Sequence, residues 1–344
     1  KYIYKMKVMI FLKKVFYYFL KLIIELKFFF INFYNGLKYK DQKKVYINMK
    51  PAYKPWGGGS VTINMLREAL TELGYVVVFN LYNNDIDVLF IMDPRTWCDP
   101  FDEIIKYSKI NKAKIVHRVG DIGLHGKPEL TNLLKKSIVE ADYVTYISKF
   151  AKKYLSIDHP NSNVIELAPS KIFFSNRKEN LNLSYPIKIV THHWSTNILK
   201  GFDYYKKLDS FLLNNKKFEF TFIGRLPDGY SFDNSIYISP LGKKSLSKIL
   251  PKYDIYLSAS KWETGGNHVL EAIGAGLPIL FHEDGGGIND YCYEYGLSYN
   301  SFNDMIKKID ELIEKYHQIK SKILRYDRTL ESVIYDYVHI IKSL

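Results

Sequence analysis

Cysteine is nearly missing from this chain. Cys98 and Cys292 are the two in 344 residues. They show neither disulfide nor zinc-ligand spacing, so a reducing compartment is expected. Long apolar runs are missing too. The stretch from Met6 to Tyr34 is rich in Phe, Ile, Leu and Tyr but is interrupted by Lys13, Lys14, Lys21, Glu25 and Lys27. No run of about 18 apolar residues therefore exists to span a bilayer. No small-residue cleavage site follows the stretch, so a signal peptide is not expected. Also lacking are a Gly-x-Gly-x-x-Gly fingerprint, a phosphate loop ending in Gly-Lys-Ser/Thr and a Gly-x-Ser-x-Gly elbow, which removes dinucleotide-binding, P-loop and serine-hydrolase readings. Asp85-Ile86-Asp87 has the spacing of a metal motif but precedes a strand and reads as a turn.

What is present begins with charge. The formal net charge is +13, and residues 1–50 hold twelve Lys against Glu25 and Asp41, so ten of those thirteen charges sit in the first 50 residues. A nucleic-acid enzyme spreads positive charge over its working cleft; this chain concentrates it in a tail, and no nucleic acid is expected. Lys7, Lys14, Lys21 and Glu25 fall near one stripe of a helix. Two readings stand. Residues 1–34 form a basic interfacial helix on an anionic membrane, making the protein cytoplasmic and peripheral; or they are a disordered extension ahead of a start at Met6, Met9 or Met49. The rest, with 47% hydrophobic and 25% charged residues overall, is globular and long enough for two domains.

From Lys44 onward short apolar runs alternate with amphipathic stretches. Val45–Met49, Tyr75–Asn80, Asp87–Ile91, Lys114–Val119, Tyr143–Tyr146 and Asn163–Leu167 read as strands, and Ser60–Leu73 as a helix ended by Gly74. The polar, aperiodic segment Ala168–Pro186 reads as a linker. Alternation restarts with strands at Ile187–Thr191, Phe218–Ile223, Ile236–Ile238, Ile255–Ala259 and Pro278–Phe281, and helices at Gly201–Leu213, Lys244–Leu250, Gly266–Gly274, Phe302–Leu324 and Leu330–Leu344. Such alternation predicts parallel sheets covered on both faces. The expected division is an extension over 1–43, a first Rossmann-like domain over 44–180, a second over 187–324, and a terminal helix over 325–344 packing back on the first domain.

The strongest chemical signal is Ser258–Leu280, SASKWETGGNHVLEAIGAGLPIL. A buried strand ends, a Gly-containing turn follows, and a helix opens near Gly266. Ligands of open α/β sheets bind beyond the carboxyl ends of the strands, and a helix N-terminus there presents free N–H groups to a phosphate. Glu263 lies on the loop and Glu271 inside the helix. A carboxylate at the latter position can accept from two vicinal hydroxyls, as a ribose offers, while the former meets the sugar end of the same ligand.

Glu263 and Glu271 resemble the Glu-x7-Glu motif of retaining GT-B glycosyltransferases, family 4 in particular, and EAIGAGLPIL is similar to that family's EAMACGLPVI. Gly285-Gly286-Gly287 resembles its glycine turn near the donor. The resemblance covers about Lys44 to Leu324. It implies two facing Rossmann-like domains with an interdomain cleft, and transfer of a sugar from a UDP- or GDP-sugar to a glycan, lipid or protein-linked acceptor with retention. It also implies Glu263, Lys200 and Asp121 as catalytic residues. Donor contacts would come from Glu271, Gly265, Gly266, Asn267, His268, Ser195, Gly58 and Gly59, with no metal and no cofactor besides the nucleotide sugar. Lys200, in THHWSTNILKGFD, stands at the family's diphosphate-binding Lys, although His192-His193-Trp194-Ser195 replaces the usual Gly-Arg; a plain surface Lys is the competing reading. Pro55–Ser60, PWGGGS, resembles the family's Gly-Gly loop or is an ordinary turn. In Val116–Asp121, Gly120 occupies the place of a family His and Asp121 matches; Arg118 and His117 are weaker candidates, with a core role open for His117. Competing functions are another GT-B enzyme, such as a nucleotide-sugar epimerase or a phosphorylase, and a degenerate nucleotide-sugar-binding protein.

Overall fold

A computed structural model describes residues 42–50 and 58–344, together with Leu26. The expected membrane contact of residues 1–34 and the Pro55–Gly57 part of the glycine loop lie outside the described residues. Among the described residues no helix is long and apolar enough to cross a membrane.

The first sheet contains β1 (Lys44–Ile47), β2 (Val76–Val78), β3 (Val88–Ile91), β4 (Lys114–Val119), β5 (Tyr143–Tyr146) and β6 (Ser162–Val164). They lie in the order β2-β1-β3-β4-β5-β6, every pair parallel. Strands such as Val-Leu-Phe-Ile of β3 are buried at every position, as a sheet covered on both faces requires. Its helices are α1 (Gly58–Glu72), α2 (Phe101–Asn111), α3 (Pro128–Val139) and α4 (Lys149–Leu155). Ile63, Leu66 and Leu70 recur at helical spacing on α1 and form its buried face, which is why that segment folds as a helix against the sheet. Asp85 and Asp87 are spent at the amino ends of the strands: Asp85 pairs with Lys44 Nζ at 2.5 Å and Asp87 accepts from Lys44 N at 2.7 Å.

The second sheet contains β7 (Ile187–His193), β8 (Phe218–Gly224), β9 (Ile236–Ile238), β10 (Ile255–Ser258), β11 (Ile279–His282) and β12 (Gly296–Tyr299), ordered β12-β11-β10-β7-β8-β9 and again parallel. Helices α5 (Phe202–Phe211), α6 (Lys243–Ile249), α7 (Asn267–Gly274), α8 (Gly287–Cys292), α9 (Phe302–Glu314) and α10 (Tyr316–Leu324) accompany it. The expected α/β architecture of two Rossmann-like parallel sheets is what the chain adopts. The single helix expected over Phe302–Leu324 is instead two, because Lys315 leaves helical geometry and turns the chain so that Leu312 and Tyr316, Ile319 and Ile323 can all reach the core. Strand β12 and helix α8 were not legible: β12 is buried only at Tyr299 and α8 is six residues long.

The chain then crosses back. Helix α11 (Leu330–Ser343) starts with a reciprocal cap between Thr329 and Ser332 and buries Leu330, Val333, Ile334, Tyr337, Val338, Ile340 and Ile341. These join Ile63, Leu66 and Leu70 of α1 and Phe90 of β3 in one core, with the Tyr337 ring edge-on to Phe90 at 5.7 Å. Truncating Tyr337 would remove about 3–5 kcal/mol from that core.

Each sheet has one place where the chain reverses its direction of travel across the strands. In the first it lies between β1 and β3, in the second between β7 and β10. At such a point two loops diverge beyond the carboxyl ends of adjacent strands and leave a crevice.

Candidate functional site

The crevice of the second sheet is flanked by the loop after β7 and the loop after β10. The first descends through a single 3₁₀ turn, Ile198–Lys200, to Gly201. Gly201 is left-handed (φ 76°), and a Cβ there would stand 2.3 Å from the Ala259 carbonyl oxygen, so a glycine is what lets the two loops touch. Lys261 N donates to Leu199 O at 2.8 Å and locks them together. This brings Lys200 Nζ into an ion pair with Glu263 Oε1, both side chains 13% exposed. The Glu263 backbone is held in turn by the glycine turn after β11: Glu263 N donates to Gly285 O at 3.2 Å and Gly287 N to Glu263 O at 2.7 Å. Gly286 is left-handed (φ 69°) and a Cβ on it would meet Glu263 O at 2.5 Å.

Helix α7 opens directly after this loop. Gly265 and Gly266 pack so closely against Tyr291 and Ile288 that a Cβ on either would stand within 2.8 Å of a side-chain atom. Asn267 is exposed at the mouth. His268 is joined to Ser258 Oγ at 3.1 Å. One turn further on, Glu271 Oε2 accepts from His192 Nε2 at 2.8 Å, the two side chains 14% and 4% exposed; a carboxylate has no proton to give, so Nε2 carries it. His193 is bonded to Tyr205 Oη at 2.7 Å and Thr191 Oγ1 at 3.2 Å. Burial, reinforced by neighbouring imidazoles and the Lys200 ammonium, pushes His193 and His268 well below the usual histidine range, so both are neutral. Lys200, Glu263, Glu271, Gly265, Gly266, Asn267 and His268 thus converge on one crevice. Ser195 stands apart at the rim, exposed, its Oγ accepting from Asn197 N at 3.2 Å.

The first domain faces this crevice. A Cβ on Gly58 would lie 2.3 Å from Asn267 Nδ2, whereas none near Gly59 meets any atom within 4 Å. The amino ends of α1 and α7 therefore oppose each other. The loop after β4 crosses to the Glu263 loop: Ile122 N donates to Thr264 Oγ1 at 3.3 Å, and the His125 ring reaches Lys261 O and Trp262 O at 3.1 and 3.2 Å. Ser148 Oγ caps α4 by accepting from Ala151 N and donates to Thr264 O at 2.7 Å. Asp290 of α8 accepts from Phe150 N at 2.8 Å. Asp121 lies in the same β4 loop. Burial acts to raise its carboxyl, but Lys127 Nζ at 2.7 Å and Gly123 N at 3.0 Å outweigh burial and hold it below the usual range. Arg118 and His117 belong to the core. Arg118 Nε donates to Tyr337 Oη at 3.1 Å. His117 Nδ1 is bonded to Ser137 Oγ at 3.1 Å, and burial lowers the ring to about 3.

Sequence reasoning missed two features. One is the bond from His192 to Glu271, since the sequence shows only a His192-His193 pair at the carboxyl end of a strand. The other is a narrow cavity of about 10 Å³ beside His192, room for about one water, lined by Trp194, Gly224, Pro240, Leu241 and Leu246, with the Arg225 guanidinium 5.6 Å from the Trp194 ring. No pattern in the sequence joins those segments. Among the described residues no three His, Cys, Asp or Glu side chains are arranged to hold a metal ion.

No protein-family description matches the chain, and no curated protein does either. Solved structures do. Sucrose-phosphate synthase from Thermosynechococcus elongatus superposes with a TM-score of 0.64 at 13% identity, over 88% of this chain and 98% of that one. A glycosyltransferase from Rickettsia africae ESF-5 gives 0.62 at 14%, over 88% and 98%. The lipopolysaccharide outer core galactosyltransferase WaaB, in its apo form, gives 0.60 at 15%, over 88% and 100%. The chain has the GT-B fold these proteins share.

Proposed function

We propose that the protein is a glycosyltransferase that moves a sugar from a UDP- or GDP-sugar to an acceptor hydroxyl with retention of anomeric configuration. The observation that carries this reading is the convergence of Lys200, Glu263 and Glu271 on the amino end of α7 at the switch point of the second sheet. A diphosphate placed there meets free helix N–H groups and an ammonium. Glu271 receives the ribose hydroxyls, and the base lies beyond it over the carboxyl ends of β7 and β8. Glu263 turns from Lys200 to the sugar hydroxyls as the diphosphate takes over the ammonium. The acceptor, a glycan or a lipid- or protein-linked group, enters from the first domain past Asp121 and His125.

In the chemical step the bond from C1 to the phosphate oxygen breaks and one to the acceptor oxygen forms on the same face. The acceptor proton passes to the departing phosphate oxygen. No protein nucleophile is required. Lys200 and the helix end stabilise the charge that develops on the leaving group, the kind of contribution worth about 10²–10³ in rate. The domains, bridged through Thr264, Ser148 and Asp290, keep water from the activated sugar.

A thermal-shift series with UDP- and GDP-sugars tests the donor site. One donor class is expected to raise the melting temperature of the wild type and to lose most of that effect on Glu271→Ala. Stabilisation that survives the substitution undiminished would discredit the ribose assignment. Release of free nucleotide only when an acceptor is present separates transfer from epimerisation.

A further inference from the structure

The strand residue His192 has no part in the chemistry above, yet its setting is more constrained than packing needs. It is the sixth residue of β7, a strand paired on both sides, and is 3% exposed. Its backbone N donates to Tyr256 Oη at 3.0 Å, fixing where the residue sits. Its ring is edge-on to Tyr256 at 5.4 Å and to His268 at 6.3 Å, fixing how it is turned. The one side-chain hydrogen bond of Glu271 among the described residues is the one from His192 Nε2. Glu271 therefore keeps its other oxygen for a ligand while Oε2 is pinned. A glutamate has three side-chain torsions, the last of them broad, and ordering them on binding costs affinity unless something has already done so.

Resting on the ribose reading of Glu271, we infer that His192 is a positioning residue. It holds the Glu271 carboxylate in the orientation that receives the ribose diol, and so sets the preference of the site for ribonucleotide over deoxyribonucleotide donors. A site that bonds a ligand hydroxyl rejects the analogue lacking it because a buried polar group is then left without its partner. That rejection holds only while the carboxylate cannot swing away. Pinning one oxygen through a buried, doubly packed imidazole is what prevents the swing.

The test uses isothermal titration of the full chain with UDP and GDP, then with the 2′-deoxy and 3′-deoxy forms of whichever binds. His192→Gln and His192→Met have nearly equal length and differ in whether they can donate to Glu271. The wild type is expected to prefer the ribonucleotide by about tenfold or more. His192→Met is expected to weaken ribonucleotide binding about tenfold and to leave the deoxy forms within about twofold, collapsing the ratio; His192→Gln is expected to recover much of it. Should the Met variant fail to fold, His192→Phe keeps the ring packed against Tyr256 and His268 without the N–H, with the same expectation. A donor-lacking variant that folds and keeps the wild-type ratio overturns the positioning role while leaving the ribose site intact. A wild type that binds ribo and deoxy forms equally overturns the ribose site itself, and the inference with it.

Discussion

At the ends of β7 and β10 the second domain gathers two carboxylates, an ammonium and three imidazoles; at the ends of β1 and β4 the first domain offers two glycines, Asp121 and His125. Both walls come from the same device, a parallel sheet that reverses its strand order, so the topology does not explain the contrast. Burial does. On the second wall the charged side chains lie in a crevice, where a lone charge is costly and must find a partner. Lys200 and Glu263 hold one another, and the His192 N–H holds Glu271. On the first wall Asp121 is about a third exposed and its partner Lys127 more so, so water does much of that work. In the proposed function a nucleotide diphosphate suits the second wall, because it replaces one buried partner with another. An acceptor that varies in chemistry suits the first.

The largest effect follows from breaking the Lys200–Glu263 pair. Lys200→Met strands a carboxylate that is 13% exposed, and a loss of about 3–5 kcal/mol is expected from chemical denaturation. Lys200→Met combined with Glu263→Gln should recover most of that stability. Turnover should fall about 10²–10³-fold in the single variant and stay low in the double. Recovery of turnover together with stability would show that the pair is scaffold on both counts, and the contrast between the walls would lose its functional meaning.

A smaller effect, read from one histidine at a time, compares the walls by titration. Neutral buried histidines lie under both: His117 under the first, His193 and His268 under the second. Each has its folded-state pKa pushed down by burial from an ordinary 6.5. The unfolded chain therefore binds protons that the folded one refuses. Stability is complete above about pH 6.5 and declines as pH falls, by up to about 1.4 kcal/mol per pH unit for each such histidine. For His117 the decline continues to about pH 3. Urea midpoints measured between pH 7.5 and 5 should fall accordingly. His117→Phe should flatten part of the slope, since Ser137 Oγ retains its bond to Leu134 O. A variant slope identical to that of the wild type would mean that the first wall does not titrate this way.

The same contrast explains what the sequence made legible. Short runs rich in β-branched and aromatic residues announce strands, and Lys114–Val119, Tyr143–Tyr146 and Ile236–Ile238 were bounded as they occur, although Ile236–Ile238 lies at the sheet edge with no residue buried. Glu263 on its loop and Glu271 on α7 could be picked out because they stand eight positions apart in one local segment. The His192–Glu271 bond was not: its partners are 79 positions apart, and nothing local marks a histidine inside a strand as polar furniture of a crevice. Nor was the pocket beside Trp194, which three separate loops assemble. The edge strand Gly296–Tyr299 escaped because its sequence, Gly-Leu-Ser-Tyr, interrupts the apolar run by which a strand is read.

The smallest effect concerns where the walls meet. A Cβ on Gly58 would stand 2.3 Å from Asn267 Nδ2, and the next atom of that side chain lies at 3.3 Å. The obstruction is the end of an exposed side chain, not backbone, so Gly58→Ala forces Asn267 to another rotamer and does not prise the domains apart. Folding should be little changed, within about 0.5 kcal/mol as for surface positions, and Ala adds helix propensity at the start of α1. If Asn267 contributes a donor contact, the variant raises the donor KM a few-fold with kcat unchanged, the mark of binding energy lost equally from ground and transition states. Pairing it with Asn267→Ala removes the obstruction, and the two substitutions together should then cost no more than Asn267→Ala alone. A double variant worse than both singles would mean that Gly58 contacts the donor with its own backbone, which would shift part of the donor site onto the first wall.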